Sequence, residues 1–445
     1  MINKKLFHTA PGLAILISLC LVICIGTFLL MLPVAQKQQV PFIDALFAAT
    51  SATCVTGLFT TSLAHFTTFG HLIIMILMHI GGIGLITFTL MFLSLFVNFG
   101  LSTQLMVGHI LDLESWHNIK KLLIFIAAIT FISEGIGTLC MVFILARHEP
   151  IAEALFHSLF HAIAAFCNAG IELPGGVTPL LKTNYFILFI TMTLTLIGGL
   201  GFITWHEIVA WLKARWEHKR FRFSLHTKIV LYGTATIIAI TTPLIWLLEY
   251  HHAFAQMDIF HSVVYALFQS ITSKSAGFSL IPLYNFQQAT IFIMMIIAFI
   301  GSSPASTGSG VKISTFTILL ATVKTALSGS THVDLKGRRI AADQVLKSIA
   351  ICFLGISLIG FLTFLLLVTE YRQPFFALFF EAWSALTNLG TSIGMTPTLS
   401  LIGKILVMIG MIIGRIGSFT LILSLKMIRW KDMHEAIYPE ERVML

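Results

Sequence analysis

Four short stretches of this chain place a glycine behind small and polar residues, each between apolar segments. They read "DALFAATSATCVTGL" at 44–58, "HSLFHAIAAFCNAGI" at 157–171, "YALFQSITSKSAGF" at 265–278 and "LFFEAWSALTNLGT" at 378–391. What they share is backbone chemistry, at Val55, Thr56 and Gly57; Asn168, Ala169 and Gly170; Ser275, Ala276 and Gly277; and Asn388, Leu389 and Gly390. Successive carbonyls can turn to one side only if some residues leave the usual dihedral regions, which glycine does without a Cβ clash. Small neighbours such as Thr56, Ala169 and Ala276 permit close approach. Four such strands about one axis would set carbonyl oxygens in rings, a construction that replaces the hydration shell of a monovalent cation.

These segments need elements to hold them. Each follows a short segment, at 43–53, 153–167, 258–273 and 375–387, too short to cross a bilayer and suited to a re-entrant helix. The chain after it must return in extended form, which survives at membrane depth only when it lines a water-filled cavity or is buried in protein. The helix C-termini, carrying partial negative charge, would then favour a cation. A second echo follows each glycine: "IGGIG" at 80–84, "IGGLG" at 197–201, "IGSSP" at 300–304 and "IGRIG" at 413–417. Two marks recurring in step define a unit of helix, re-entrant segment and helix, repeated four times.

The composition agrees. Of 445 residues, 57% are hydrophobic and 10% charged, where a soluble chain carries about 25% charged residues. Eight apolar stretches of about 20 residues occur at 11–33, 71–97, 119–146, 184–212, 228–249, 288–323, 345–369 and 402–428. The first is too long for a signal-peptide core and reads as a retained helix. The expected fold is an all-α polytopic membrane protein: four parallel helix–pore-helix–helix repeats around a pseudo-fourfold central pore. Repeat A covers 1–117, repeat B 118–226, repeat C 227–344 with a broken inner helix, and repeat D 345–428; 429–445 is a cytoplasmic tail. Each unit enters and leaves on the same side, which argues against inverted repeats.

The net charge of +8 follows the membrane. Lys and Arg concentrate in the segments on the side of the N-terminus, "KARWEHKRFR" at 213–222 among them. That bias places both termini in the cytoplasm. The cluster reads as an inner-leaflet charge belt, with lipid and not nucleic acid as its partner.

A second site candidate lies in the third inner helix. Gly301, Ser302, Ser303, Pro304 and Ala305, then Ser306, Thr307, Gly308, Ser309 and Gly310 cannot hold a lipid-exposed helix. They read as a broken stretch lining a cavity, placed as a movable plug. Lys312 follows it, and Arg415 lies at the matching depth of the fourth inner helix. Charges at that depth face a cavity or a partner, and Arg415 is expected to bind loop carbonyls and hold the gate closed. Lys274, three residues before Gly277, is expected to turn away from the axis.

The other ionisable residues read as structural. Asp44 and Asp258 are expected to cap short helices. The outer acids Glu149, Glu153, Glu172, Glu249, Glu370 and Glu381 would concentrate cations at the mouth. Glu134 is expected to hydrogen-bond between helices. His157 and His161, and likewise His251 and His252, read as interfacial or solvated, and no HExxH occurs. The six cysteines form no CxxC pair and read as small buried residues. With no GxxxxGK[ST] motif, the chain is not expected to hydrolyse ATP.

At "TCVTGL", "FCNAGI", "SKSAGF" and "TNLGT", at "IGGIG", and at "GSSPASTGSGVK", the chain resembles the Trk/Ktr/HKT superfamily of potassium transporters over essentially its whole length. With eight spans and a short tail it is most similar to the bacterial Ktr-type membrane subunit; longer Trk members carry two further N-terminal spans. The resemblance implies potassium uptake across a bacterial inner membrane, with no enzymatic activity and no cofactor in this chain. It implies a homodimer with one pore per protomer. It also implies a cytosolic RCK-type ring, which binds the nucleotide (ATP/ADP or NAD), and sodium dependence as in some members. Glycine at position 57 favours potassium, since plant relatives with serine there prefer sodium. The fourth segment, "NLGT", departs from the commoner "TVGL" pattern. The C-terminal tail would dock on the dimer mate. A secondary alternating-access carrier or cation–potassium symporter is the alternative.

Overall fold

The computed structural model describes residues 11–84, 119–330 and 332–417, the side chains of 11–15 and 119–120 aside. The second half of the span 71–97, most of the span 402–428 beyond Gly417, and the tail 429–445 lie outside the described residues.

Helices make up nearly all of the regular structure. The first group is α1 (Pro11–Leu30), α2 (Phe42–Thr53) and α3 (Thr68–Ile83). The second is α4 (Ile119–Leu145), α5 (Ile151–Phe166), a short α6 (Val177–Leu181), α7 (Tyr185–Gly199) and α8 (Phe202–Trp216). The third is α9 (Leu225–Glu249), α10 (Ile259–Thr272), α11 (Gln288–Ile300) and α12 (Ile313–Leu327). The last is α13 (Ala342–Thr369), α14 (Phe375–Thr387) and α15 (Leu401–Ile416). Between α12 and α13 lies a small antiparallel hairpin, β1 (Asp334–Leu335) with β2 (Arg338–Arg339). It turns through Lys336 and Gly337, both at positive φ, as tight hairpin turns require.

Local sequence explains the boundaries. The short helices α2, α5 and α14 start directly after Pro41, Pro150 and Pro374, whose fixed φ suits a chain about to turn helical. The fourth short helix, α10, starts at Asp258, whose carboxylate accepts from the Phe260 amide at 3.3 Å. Asp44 does not cap: its carboxylate accepts from Thr60 Oγ1 at 2.7 Å and pairs with Lys404 at 2.6 Å. Thr67, Asn184 and Ser400 cap α3, α7 and α15 through their side chains.

Among the described residues, α4, α9 and α13 are unbroken helices long and apolar enough to cross a membrane. At 27, 25 and 28 residues they measure about 40 Å, more than the roughly 30 Å hydrocarbon core. Large apolar side chains such as Phe143 and Phe353 stand exposed on them, as a lipid-facing surface requires. The chain is a mostly helical, multi-pass membrane protein. Cys20 and Cys24, expected to be buried, are exposed on α1.

The expected single span at 184–212 is broken. Helices α7 and α8 meet at 101°, with Gly201 at φ +84° between them. All four glycine echoes end a helix: α3 stops before Gly84, α7 before Leu200 and Gly201, α11 before Gly301 and α15 before Gly417. Each of those glycines has positive φ, which a helix cannot pass through.

Packing runs head to tail. Helix α3 packs against α5, α7 against α10, α11 against α14, and α15 returns to α2. At matching positions of the four short helices, Phe47, Phe160, Phe268 and Phe380 are completely buried. In a bilayer such rings hold helices together through close packing, so the core lies where the short helices converge.

Candidate functional site

The ends of the short helices build the site. After α2, Val55 takes φ +55°, after α5 Asn168 takes +59°, and at the end of α14 Asn388 takes +50°. The next amide in each case, of Thr56, Ala169 and Leu389, bonds back to the carbonyl of Ser51, Ala164 and Ser384, at 2.8, 2.9 and 3.0 Å. This is a Schellman-type termination, and it reverses the chain immediately after the helix. The third segment differs: Ser275 has no left-handed φ, and the amide of Gly277 bonds the Thr272 carbonyl at 3.1 Å.

The four segments then meet. A Cβ placed on Gly57 would strike the carbonyl oxygen of Ala169; on Gly170, that of Ala276; on Gly277, that of Leu389; and on Gly390, that of Thr56. The contacts form a closed circuit in chain order. All four glycines have positive φ, at +97°, +61°, +72° and +85°. Two amides are turned to serine hydroxyls behind them: Gly57 N–H donates to Ser51 Oγ at 3.0 Å and Gly390 N–H to Ser384 Oγ at 3.1 Å. Sequence reasoning missed both serines. The signal was present, since each precedes its glycine by the same interval, but two other units carry Ala164 and Ile271 there.

The stretch 301–310 packs against this circuit. Its ends are pinned by backbone bonds from Ser302 to Ser309, Val311 to Phe299 and Ile313 to Ser302, at 3.1, 2.9 and 3.0 Å. Gly301 and Gly310 lie back to back, where a Cβ on either would meet the other at 2.7 Å. The stretch also satisfies the break in the second group. Ser303 and Thr307 amides donate to the Gly199 and Gly198 carbonyls at the end of α7, and the Phe202 amide donates to Ala305. Helix ends leave such groups orphaned, so the loop of one unit makes the broken helix of another tolerable.

Side chains tie loop to circuit. Asn168 Nδ2 donates to Thr307 Oγ1 at 2.7 Å, and that hydroxyl donates to the Phe166 carbonyl at 2.9 Å. The Ser309 amide donates to Ser275 Oγ at 2.9 Å. Lys312 Nζ donates to the Gly308 carbonyl at 2.6 Å. Arg415 donates to the Thr307 carbonyl at 2.8 Å and to Ser309 Oγ at 3.3 Å. It also donates to the carbonyls of Gly81 and Gly82 at the end of α3. A cavity of about 250 Å³ lies beside the loop, lined by Ala305, Ser306, Gly308, Lys312 and Arg415 among others.

The remaining charged residues divide. Lys274 turns to α9 and donates to Thr234 Oγ1 at 2.8 Å. Of the outer acids, Glu249, Glu370 and Glu381 are buried and bonded internally. Glu249 accepts from the Gln287 amide at the start of α11 and from Thr290; Glu370 accepts from the Ser400 amide at the start of α15; Glu381 holds Ser392 and Thr396. They tie helix ends together, and their charges are not free to enrich cations at a mouth. His161 is buried and bonded to Thr191 at 2.9 Å, contrary to the solvated reading, while His157 faces Glu149 at 3.0 Å. Glu134 on α4 pairs with His79 on α3 at 3.3 Å, the contact between helices that was expected of it.

The family model described as "TrkH: Cation transport protein" matches residues 11–436. Among curated relatives, the chain is 31% identical to the potassium/sodium uptake protein NtpJ of Enterococcus hirae, over 100% of this chain and 98% of that one. It is 34% identical to the Ktr system potassium uptake protein B of Vibrio alginolyticus, over 97% and 94%, and 32% identical to that of Bacillus subtilis, over 94% of each. Among solved structures, the potassium transporter TrkH of Vibrio parahaemolyticus superposes with a TM-score of 0.76 at 18% identity, covering 95% of this chain and 86% of that one. The fold is therefore shared with TrkH, and over its length the chain belongs to the TrkH family of cation transport proteins.

Proposed function

We propose that the chain takes up potassium across the bacterial inner membrane through a single pore formed by four parallel repeats, with the boundaries expected from the sequence. It acts as a transporter and not as an enzyme, in keeping with relatives that are all named for uptake or transport. The observation that carries this reading is the closed circuit of Gly57, Gly170, Gly277 and Gly390 on their neighbours' carbonyls. In the proposed filter, Val55 to Gly57, Asn168 to Gly170, Ser275 to Gly277 and Asn388 to Gly390 supply carbonyl oxygens that replace water around a dehydrated ion. The serines behind Gly57 and Gly390 draw the amides outward, and the C-termini of α2, α5, α10 and α14 lend partial negative charge. The stretch 301–310 is the gate. Lys312 and Arg415 hold it under the filter, where their charge opposes cation passage.

The membrane subunit works as a homodimer beneath which a nucleotide-binding RCK-type ring sits, with both termini cytoplasmic. Sodium enters this reading as an activator or as a coupled ion; one relative is named for potassium/sodium uptake. Rescue of a potassium-uptake-deficient strain, with and without sodium, tests the reading. Rescue with rapid, weakly temperature-dependent rubidium flux supports the pore. Slow flux with steep temperature dependence would favour an alternating-access carrier, and no rescue would overturn both. Arg415→Ala, which frees the Thr307 carbonyl, should raise flux in liposomes several-fold; unchanged flux at equal expression would remove Arg415 from the gate.

A further inference from the structure

Behind the second glycine segment lies a cluster that the transport reading leaves unused. His79 on α3, Glu134 on α4 and Cys167 at the end of α5 bring one ligand-type atom each to within 4.8 Å of one another. Glu134 is 3% exposed and Cys167 is fully buried. His79 Nδ1 and Glu134 Oε1 face each other as an ion pair at 3.3 Å, which leaves His79 Nε2 buried without a hydrogen-bond partner. The hydroxyls of Thr130 and Thr138, one turn to either side of Glu134 on α4, are also without one. Gly82 makes room for the thiol, because a Cβ there would press on the Cys167 side chain.

Burying such groups unsatisfied carries their full desolvation cost, and buried unsatisfied atoms in a native protein point to a missing water or ion. Sulfur, imidazole nitrogen and carboxylate oxygen together are the ligand set of a borderline-soft metal. Hard cations would prefer an all-oxygen site. The charge balance then selects the oxidation state. A thiolate and a carboxylate with neutral imidazole carry two negative charges, so a divalent ion leaves the filled site neutral, which removes the cost of a buried net charge. A monovalent ion would leave it negative.

We propose that His79, Glu134 and Cys167 bind one divalent transition-metal ion of the zinc class, joining α3, α4 and α5, with a fourth position open to water. Bonds of about 2.0–2.3 Å require only a modest inward movement of the three side chains. The Cys167 thiol gives up its proton to solvent on binding. The site differs in ligand type from the carbonyl circuit, and its test reads metal binding, so its failure leaves the transport reading untouched.

The test uses the full-length protein, purified metal-free in detergent. Titration with cadmium should give an ultraviolet sulfur-to-cadmium charge-transfer band that saturates at one ion per chain, and zinc should compete it away and raise the thermal midpoint. Cys167→Ser should abolish the band. His79→Gln and Glu134→Gln should weaken zinc binding by about ten-fold or more, while changing the exposed His251 and His252 to Gln should leave it intact. Every protein tested carries Cys20→Ser and Cys24→Ser, since those exposed thiols could themselves bind cadmium; if Cys167→Ser does not fold, His79→Gln and Glu134→Gln decide, and a band and affinity unchanged in both overturn the proposal. Absence of the band, or of a zinc-dependent midpoint shift, overturns the proposal, as does equal binding with and without Cys167→Ser.

Discussion

At the scale of single residues, the four circuit glycines are fixed by space as well as by φ. Each would drive a Cβ into a backbone oxygen of the next segment, and backbone cannot swing aside as a flexible side chain can. Gly57→Ala and Gly390→Ala should therefore abolish potassium uptake. Gly360→Ala, on the exposed face of α13 with nothing near its Cβ, should leave uptake intact and stabilise the helix by about 0.5–1 kcal/mol. Uptake in the deficient strain at matched expression is the check. Lys312 is a second residue under conformational constraint. Its φ and ψ of +83° and +134° match those of Gly84 at +88° and +127°, Gly201 at +84° and +144°, and Gly417 at +87° and +125°. It stands where the other groups use the hinge glycine, so it carries a left-handed strain of about 1–2 kcal/mol. Lys312→Gly relieves that strain while losing the bond to Gly308, and should keep its thermal midpoint. Lys312→Ala keeps the strain and loses the bond, and should lose about 1 kcal/mol. The glycines and Arg415 were legible in the sequence because repetition marks them. Asn168 with Thr307, and Lys312 as a stand-in for glycine, were not, because only the folded chain brings partners so distant in sequence together.

At the scale of elements, the short helices were readable from length and the start of α10 from Asp258, while Pro41, Pro150 and Pro374 set the other three starts. The bend between α7 and α8 was not. Its apolar run reads as one span, and the groups that satisfy the break come from the third group of helices, through Ser303, Ala305 and Thr307. Loop and broken helix are therefore one device, and loosening one should loosen the other. Thr307→Val removes the hydroxyl that accepts from Asn168 and donates to Phe166, leaving buried polar groups short of partners at a cost of about 1–3 kcal/mol. If the stretch 301–310 gates the pathway as proposed, a lower thermal midpoint should come together with raised flux in liposomes. A lower midpoint with unchanged flux would make Thr307 a packing residue only.

At the scale of the whole molecule, closure depends on contacts between groups more than on the connections that join them. Helix α7 meets α10 and α15 meets α2, while the connection at 217–220 is exposed. A chain divided there and expressed as two pieces should reassemble, co-purify and restore part of the uptake. Pieces that fold separately without associating would show that the covalent link, and not the packing, closes the molecule. The recurrence of the glycine marks made the four segments themselves readable, but the order of neighbours was not, because identical marks do not say which group sits beside which.

The stretch 301–310 has one further consequence. A ring of identical subunits that acquired such an insertion would acquire it in every member, and the copies would compete for the same space beneath the centre. Four unequal stretches of one polypeptide escape that arithmetic: here a single segment is braced from two sides at once, by Arg415 of α15 and by the α7–α8 corner.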